Sequence, residues 1–444
     1  MANGETATKI RGGVNVPHFK NTAESGSVKM PSPPSVILPL QQHIGAPCQP
    51  TVKAGDKVAV GQVIGDADAH ISAPIHATVS GIVKAVSPYP LAEGTYVDAV
   101  HIKSDGNDTL YSEIKKPDVK NRDDFLKAVR QSGITGMGGA GFPTHVKLTL
   151  KDDVKVDTLI INGAECEPYI TADYREMMEN CAHILSGIAR VMEYIGIKNC
   201  IIGIESNKPK AISLLTDNII AQGVQERVSV VELPACYPYG AEKVLVKAVT
   251  GRTILPGSLP SDAGAVVLNI STVSALSCYL DTGIPLTHKR ITVDGGAIAK
   301  PQNVIVPIGT PVRDIVNFCG GYAEEPDKII IGGPMMGTAA SDDSIPVFKS
   351  NNAILCLTAK ETYRQKDRAC IRCSRCGQAC PMNLVPNFIE RYAERNNVGM
   401  LRTLSVSGCI ECGSCAYVCP ARRPLVQSIR RAKQIEKKAV TENA

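Results

Sequence analysis

The sequence predicts a multidomain α/β protein, and three observations along its 444 residues lead to that expectation. Residues 35–104 read as short β-like runs separated by Gly and Pro, which is typical of a small all-β domain. Strand-like and helix-like segments then alternate between residues 123 and 285, which indicates a largely parallel sheet covered by helices. Finally, eight of the 16 cysteines fall between residues 370 and 419, a density that predicts metal chemistry.

The composition excludes several classes of protein. The 48 Lys+Arg against 43 Asp+Glu leave a net charge of +5, which is too small to indicate a nucleic-acid partner. Aromatic residues make up 4% and Trp is absent, which argues against a platform for stacked bases. No apolar run reaches the ~18–20 residues of a membrane span, and the start lacks a secretory signal. We therefore expect a soluble or peripheral cytoplasmic protein that does not bind nucleic acid.

The first two segments are predicted to be an N-terminal arm, residues 1–34, and a β sandwich, residues 35–115. The arm is polar, ends in several prolines and has no sustained periodicity. Within the sandwich, the phrases VKAGDKVAVGQVIG and ISAPIHATVSGIV resemble the barrel-sandwich of lipoyl and biotinyl carriers. Such carriers present a modifiable lysine at a hairpin tip, yet no lysine occurs between Lys57 and Lys84. We therefore expect a structural scaffold without a swinging arm.

Residues 120–285 are predicted to form an α/β domain. The apolar periodicity predicts helices at 123–132, 175–195, 209–222 and 240–250, and strands at 158–161, 200–204, 228–233 and 265–268. Strand signals return in residues 286–345, with one helix at 312–318, which indicates an α+β module of ubiquitin-like size. From Ala353 onward the chain is expected to be helical, and residues 431–444 to form a solvated basic tail.

The cysteine-rich segment carries the most specific motif of the chain. Two runs match C-x2-C-x2-C-x3-C-P, the spacing of bacterial two-cluster ferredoxins. Three closely spaced thiolates hold three irons of one cubane, and the fourth cysteine of each run reaches the other cubane. One [4Fe–4S] cluster is thus assigned to Cys370, Cys373, Cys376 and Cys419, and the second to Cys409, Cys412, Cys415 and Cys380.

The alternative for this segment is a pair of zinc ribbons. Zinc sites usually combine two C-x2-C knuckles across a long separation, whereas here four cysteines form one short run that is repeated. The spacing therefore favours a helical ferredoxin-type domain over residues 353–430 and one-electron transfer in a reducing compartment.

A glycine-rich stretch precedes the first strand of the α/β domain. Gly136, Gly138 and Gly139 lie in GMGGAGFPT, and Lys147 follows. Glycine lets backbone amides approach a phosphate, and a lysine neutralises its charge. The pattern is neither a P-loop nor the usual dinucleotide fingerprint, and a purely structural turn is the alternative.

Polar residues also follow the predicted strand at 158–161. Asn162, Glu165 and Glu167 stand where the carboxyl end of a parallel strand places ligands. The two glutamates are candidates to accept hydrogen bonds from ribityl or ribose hydroxyls, and solvated loop acids are the alternative. Together with the glycine-rich stretch, they favour a nucleotide site.

These phrases resemble a known family. GMGGAGFPTHVK and NGAECEP are similar to the flavin- and NADH-binding subunit of respiratory complex I, as are YGAE at 239–242 and LNIST at 268–272. A carrier-like sandwich, a flavin/NADH domain, a β-grasp module of the soluble-ligand-binding type and a two-cluster ferredoxin domain follow each other as in the RnfC family of Rnf-type complexes. HFKNTAESG, QQHIGAPCQP and SAPIHATVSG also resemble that family.

The resemblance implies cofactors and partners. It implies FMN, two [4Fe–4S] clusters and NAD(H) as substrate, with cofactor contacts at Gly136, Gly138, Gly139, Lys147, Asn162, Glu165, Glu167, Gly240, Glu242 and Asn269. It implies a peripheral subunit on the cytoplasmic face of the cell membrane, in a complex that couples NAD(H)–ferredoxin electron transfer to Na⁺ or H⁺ translocation. Integral membrane subunits and a ferredoxin-like subunit would be its partners. Hydride transfer between NADH and a flavin needs no side-chain acid or base, so no catalytic residue is assigned.

Two alternatives stay open from the sequence alone. One is a cobalamin reductase-type flavo-iron–sulfur protein, which shares the flavin and cluster modules. The other is a non-catalytic electron-relay or assembly subunit whose nucleotide pocket is lost. The second is favoured by Ala164 and Ala241, which stand where complex I has acidic residues.

Overall fold

The computed structural model describes residues 7–91, 95–151, 154–362 and 368–441. The strands are β1 (Val28–Lys29), β2 (Ser35–Pro39), β3 (Gln49–Pro50), β4 (Lys57–Val58), β5 (Val63–Asp66), β6 (Ile75–His76), β7 (Gly81–Pro90), β8 (Tyr96–Ser104), β9 (Thr158–Asn162), β10 (Asn199–Glu205), β11 (Val228–Leu233), β12 (Ala265–Asn269), β13 (His288–Asp294), β14 (Gln302–Pro307), β15 (Lys328–Ile331), β16 (Thr338–Ala339) and β17 (Ala353–Leu357). The helices are α1 (Arg122–Gln131), α2 (Thr144–Leu148), α3 (Ala172–Glu179), α4 (Cys181–Ile195), α5 (Pro209–Ala221), α6 (Glu242–Thr250), α7 (Ile270–Thr282), α8 (Val312–Phe318), α9 (Arg375–Gln378), α10 (Pro386–Glu394), α11 (Val398–Thr403), α12 (Ser414–Tyr417) and α13 (Leu425–Thr441).

The N-terminal strands form two small sheets, ordered β2-β8-β7-β4 and β3-β5-β6. Alternate residues of β2 point inward, so Val36 and Leu38 are buried against Ile64 and Ile75 of the other sheet. This arrangement confirms the predicted barrel-sandwich.

The α/β domain is built on a four-stranded parallel sheet ordered β11-β10-β9-β12. Strands β9, β10 and β11 lie side by side in chain order. The chain then returns and places β12 on the opposite side of β9. The sheet therefore reverses its winding between β9 and β12, which is where open α/β sheets bind ligands.

The helix predicted at 175–195 is wrong as a single element, because the structure divides it into α3 and α4. Asn180 between them leaves the helical region with φ −126° and ψ 30°. Its side-chain amide donates to Glu176 at 2.8 Å, and that carboxylate also accepts from Arg290 Nε at 2.9 Å. These side-chain contacts fix the break, because Arg290 lies on β13 of the next module and anchors the end of α3.

The β-grasp module forms a mixed six-stranded sheet ordered β1-β14-β13-β17-β15-β16. The expectation that the chain is helical from Ala353 is wrong, because Ala353–Leu357 forms β17 between β13 and β15. All five residues of this run are buried, and a short, fully apolar run suits a central strand better than an amphipathic helix.

The N-terminal arm crosses the other modules before the sandwich begins. Ala7 N donates to Glu232 O of β11 at 3.2 Å, and Gly13 N donates to Ala379 O of the cysteine-rich domain at 3.0 Å. The arm then adds β1 to the β-grasp sheet, in parallel with β14. The arm thereby contacts the α/β domain, the cysteine-rich domain and the β-grasp module.

The cysteine-rich domain is helical and packs α10 against α13. The predicted boundary at residue 431 falls inside α13, where Ala432 is fully buried. Lys433 Nζ donates to Cys409 O at 2.7 Å, so this part of the basic segment supports a cysteine loop. Within the described ranges, no helix combines the length and apolar character that crossing a bilayer requires.

Candidate functional site

The switch point of the parallel sheet is marked by two asparagines. Asn162 ends β9, Asn269 ends β12, and the two residues are direct partners across the strands. Asn162 Nδ2 donates to Gly240 O at 2.8 Å, whereas Asn269 Oδ1 caps α7 by accepting from Ser271 N at 3.0 Å. Both side chains therefore organise backbone at the edge where a ligand is expected.

The glycine loop, residues 136–144, folds over this edge. Gly136 N donates to Phe142 O at 2.8 Å, which closes the loop on itself. Met137 N donates to Thr272 Oγ1 at 3.1 Å, and Lys289 Nζ donates to Met137 O at 2.6 Å. The loop is thereby fixed against the N-terminal end of α7, which carries a partial positive charge that suits a phosphate.

A cleft of about 1680 Å³ opens beside the glycine loop. Every cofactor-binding residue predicted from the sequence lies on its wall: Gly136, Gly138, Gly139, Lys147, Asn162, Glu165, Glu167, Gly240, Glu242 and Asn269. Sandwich residues 41–45 and β-grasp residues 331–346 contribute further walls. The cleft therefore lies between these modules and the α/β domain, and the individual roles of its residues stay predictions.

The walls fit a flat, phosphorylated ligand. Gly139 has φ +111°, and a Cβ there would meet no atom within 4 Å, so its backbone is open to the cleft. Thr144 also lines the cleft, and its buried Oγ1 has no hydrogen-bond partner among the described residues. An unused hydroxyl beside an open glycine backbone and a lysine is a donor set that suits the phosphate of FMN.

Lys147 and Glu242 form an ion pair across the cleft, with side-chain exposures of 28% and 38%. Lys147, which is predicted to bind the phosphate, is therefore already paired with a carboxylate in the structure. A phosphate that binds Lys147 must compete with Glu242, which couples the two predicted contacts.

The predicted hydroxyl acceptors Glu165 and Glu167 already accept bonds from backbone amides. Glu165 caps α3, accepting from Asp173 N at 2.6 Å and Tyr174 N at 3.3 Å. Glu167 accepts from Met336 N at 2.9 Å and Met335 N at 3.0 Å, which ties the α/β domain to the β-grasp module. Burial raises the pKa of each carboxyl to about 7. The alternative of freely solvated loop acids is therefore wrong.

Two lysines outside the predicted site support the acidic loop, residues 162–171, by donating to its backbone carbonyls. Lys208 Nζ donates to Ala164 O at 2.6 Å and lies 3.3 Å from a Glu205 oxygen. Lys20 of the arm donates to three carbonyls of the same loop. No local motif identifies them, because their partners are distant along the chain; the family-like phrase HFKNTAESG is the one available signal for Lys20.

The raised pKa of Glu167 makes a pH-dependent contribution to stability. The folded protein holds this proton more tightly than an unfolded chain, so the unfolding free energy should fall as pH rises from about 4.5 to about 7. In Glu167→Gln this contribution disappears. Urea unfolding at pH 5 and pH 8 should differ less in the variant, by roughly 1–3 kcal/mol. An unchanged difference would contradict the assignment, and Glu24→Gln, in an exposed ion pair with Lys210, is the control.

A close approach at Gly138 gives a second prediction. A Cβ at this position would lie 3.1 Å from Asn269 Nδ2 and 3.3 Å from Asn269 Cβ, so the cap of α7 would have to move. We expect Gly138→Ala to weaken FMN binding roughly tenfold, measured by quenching of flavin fluorescence. Gly399→Ala, on α11 and outside the cleft, is the control, because its Cβ would stay 3.7 Å from the nearest atom. Equal losses in both variants would argue against the prediction.

The cysteines form two groups that draw on both sequence runs. The outer cysteines, which line one hollow beside Asn387 and Arg423, are Cys370, Cys373, Cys376 and Cys419. The inner cysteines are Cys380, Cys409, Cys412 and Cys415. Burial, and next the thiols of the other inner cysteines, raise the pKa of Cys415 to about 12. Iron binding must therefore displace protons from these thiols, and four thiols per group fit one [4Fe–4S] cluster each.

The inner cysteines adjoin the cleft. Tyr237, which is 2% exposed and lines the cleft, donates from its hydroxyl to Cys412 O at 2.6 Å. Ile410, from the same cysteine loop, also lines the cleft. On the other side, Gly413 lies against Met335, where a Cβ would come within 2.8 Å of the methionine carbonyl oxygen. The outer group lies nearer to solvent, because Cys370 and Cys373 are exposed.

Comparison with protein families matches all four modules. The family described as RnfC barrel sandwich hybrid domain covers residues 8–107, and the Nuo51 FMN-binding domain covers residues 129–277. The SLBB domain covers residues 290–339, and the 4Fe-4S dicluster domain covers residues 362–420. These matches confirm the predicted sequence of modules and the predicted cofactors, FMN and two [4Fe–4S] clusters.

Relatives match over most of the chain, and each is the subunit designated C of its complex. The one from the proton-translocating ferredoxin:NAD(+) oxidoreductase complex of Clostridium ljungdahlii is 44% identical, over 87% of this chain and 85% of that protein. The one from the Na(+)-translocating complex of Acetobacterium woodii is 43% identical over 96% of both chains. The one from the ion-translocating oxidoreductase complex of Rhodobacter capsulatus is 43% identical over 96% of this chain and 82% of that protein.

A solved structure shares the fold. The NAD+-reducing [NiFe]-hydrogenase in its H2-reduced state matches 72% of this chain and 63% of the hydrogenase chain, with a TM-score of 0.51 and 18% identity. At 18% identity, the similarity to the hydrogenase chain shows a shared fold only. The relatives, by contrast, confirm the resemblance seen in the sequence, and the chain belongs to the RnfC family of Rnf-type ion-translocating oxidoreductase complexes.

Proposed function

We propose that this chain exchanges electrons with NAD(H) at FMN in the cleft and passes them singly through two [4Fe–4S] clusters to the rest of an ion-translocating ferredoxin:NAD⁺ oxidoreductase complex. One observation carries the proposal: the cleft that contains every predicted flavin contact adjoins the inner cysteines through Tyr237 and Ile410. The proposed nucleotide site and the proposed inner cluster site would therefore be neighbours, connected through Tyr237 and Ile410.

Different residues of the cleft would bind different parts of FMN. When bound, FMN accepts a hydride as two electrons and releases electrons one at a time, as the clusters require. The glycine loop offers backbone amides and Lys147 a positive charge to the phosphate. Asn162, Gly240 and Asn269 also line the cleft and would help to hold the flavin. Glu242 is placed to contact the flavin or the nicotinamide nucleotide once Lys147 engages the phosphate.

The same geometry supports an order for the two proposed clusters. The inner cysteines adjoin the cleft, whereas outer cysteines Cys370 and Cys373 are exposed. Electrons from NADH would therefore reach the inner cluster first and leave the protein from the outer cluster. Electrons that move towards NAD⁺ would pass through the outer cluster first and the inner cluster second.

The exposed face beside the outer cysteines indicates the electron partner. Ile371 is 67% exposed, and Arg372 and Arg375 are exposed around it. An apolar centre with a basic surround suits an acidic, ferredoxin-like subunit. Through such a subunit and the complex's integral membrane subunits, the chain would sit at the cytoplasmic face of the membrane.

An anaerobic titration tests the proposal. The full chain is purified without oxygen, reconstituted with iron, sulfide and FMN, and analysed for flavin and for about eight irons. NADH should then bleach the flavin absorbance and next the broader cluster absorbance. Bound flavin that NADH does not bleach would favour the non-catalytic relay and refute the proposal. Zinc in place of iron would refute the cluster assignment.

A further inference from the structure

The N-terminal arm clamps the acidic loop of the cleft. Tyr169 of the loop stacks on Phe19 of the arm with ring centroids 5.0 Å apart, and its backbone N–H donates to His18 O at 2.9 Å. At the end of the loop, the hydroxyls of Thr22 and Thr171 lie 2.5 Å apart. The arm segment 18–22 therefore follows the acidic loop along its length.

Lys20 is the centre of this clamp. Its ammonium group donates to the carbonyl oxygens of Glu165 at 2.9 Å, Glu167 at 2.8 Å and Ile170 at 2.6 Å. An ammonium group has three N–H donors, so all of them are used on one loop. The loop needs such support, because Glu165 and Tyr169 adopt positive φ values of 49° and 68°, which are costly for residues other than glycine.

The charge of Lys20 is only partly compensated. Among the described residues, no carboxylate forms an ion pair with it, whereas the neighbouring Lys208 lies 3.3 Å from Glu205. The charged groups that face Lys20 are Lys208, Glu165, Glu167 and Glu205, and burial together with Lys208 lowers the pKa of Lys20 to about 8. A positive charge therefore remains beneath the loop that forms the cleft wall at neutral pH.

We propose that Lys20 is a positioning residue for the flavin: it holds the acidic loop in the shape that binds FMN, and its charge favours the reduced flavin. The inference rests on the proposed function. Reduction adds negative charge to the flavin, and a fixed nearby cation stabilises the more negative form. The residue acts through the loop and through its electric field, since its donors are already used on carbonyl oxygens.

The test compares three variants of the full, cluster-loaded chain with the wild type. Lys20→Met should bind FMN at least tenfold more weakly, exchange amide hydrogens faster at residues 163–171, and lower the midpoint potential of the bound flavin. Phe19→Ala, at a side chain that is 49% exposed, should speed exchange in the same loop without changing the potential. Lys210→Met is the matched control, because Lys210 forms an exposed ion pair with Glu24.

The outcomes separate this inference from the proposed function. Wild-type protein that binds FMN and is bleached by NADH supports the function, whatever the variants do. An affinity and potential of Lys20→Met equal to wild type, or a loss shared by Lys210→Met, would overturn the role of Lys20. If Lys20→Met does not fold, Phe19→Ala decides, and unchanged loop exchange in that variant would refute the clamp.

Discussion

The Cys380→Ala variant should lose the cluster that belongs to the second cysteine run, although Cys380 lies in the first run. Cys380 belongs to the inner group, which adjoins the cleft through Cys412 and Tyr237. The variant should therefore keep about four of eight irons. NADH should still bleach its flavin, but the remaining outer cluster should stay oxidised, because the first acceptor is missing. Iron analysis and low-temperature electron paramagnetic resonance measure both effects.

The matched control is Cys419→Ala, which lies in the second run but belongs to the outer group. It should also retain about four irons, yet its inner cluster should be reduced by NADH as fast as in the wild type. Electron transfer to an external one-electron protein should then be lost in both variants. If Cys419→Ala rather than Cys380→Ala blocks the inner cluster, the interleaved assignment is wrong.

Lys147→Met should weaken FMN binding roughly 10- to 100-fold, because a charge-assisted bond to the phosphate contributes about 1.5–3 kcal/mol. Riboflavin, which has the same ring and no phosphate, is the control ligand, and its affinity should change little. Fluorescence titration of the flavin-free protein measures both.

The ion pair between Lys147 and Glu242 leads to a further prediction for the affinity of FMN. Glu242→Gln removes the negative charge that pairs with Lys147 and keeps an amide that can still contact the flavin, so FMN should bind this variant more tightly than the wild type. An equal loss of riboflavin and FMN in Lys147→Met would show that the lysine supports the cleft in general and does not contact the phosphate.

Local motifs made the cysteines and the glycine loop predictable from the sequence. Both depend on spacing over a few residues, and the parallel strands that surround the cleft have clear apolar patterns. Asn162 and Asn269 each directly follow a predicted strand, but their pairing depends on β9 and β12 being neighbours, which no local pattern gives.

Contacts between distant residues account for what the sequence did not reveal. Glu167, a predicted cofactor contact, also accepts hydrogen bonds from Met335 and Met336 of another module, and no local pattern predicts these partners. The break between α3 and α4 depends on Arg290, more than a hundred positions away. The carbonyls that bind Lys20 lie equally far along the chain, so no local pattern connects them.

The docking of the arm has a consequence for biosynthesis. Gly13 N–H bonds to Ala379 O, and Gly12 lies so close that a Cβ there would be 2.7 Å from the carbonyl oxygen of Cys380. The arm precedes the cysteine-rich domain along the chain, so its binding surface is complete only after that domain has been translated and folded. Arm residues 12 and 13 therefore reach their final position after the cysteine loop they pack on, and their docking depends on the shape of that loop.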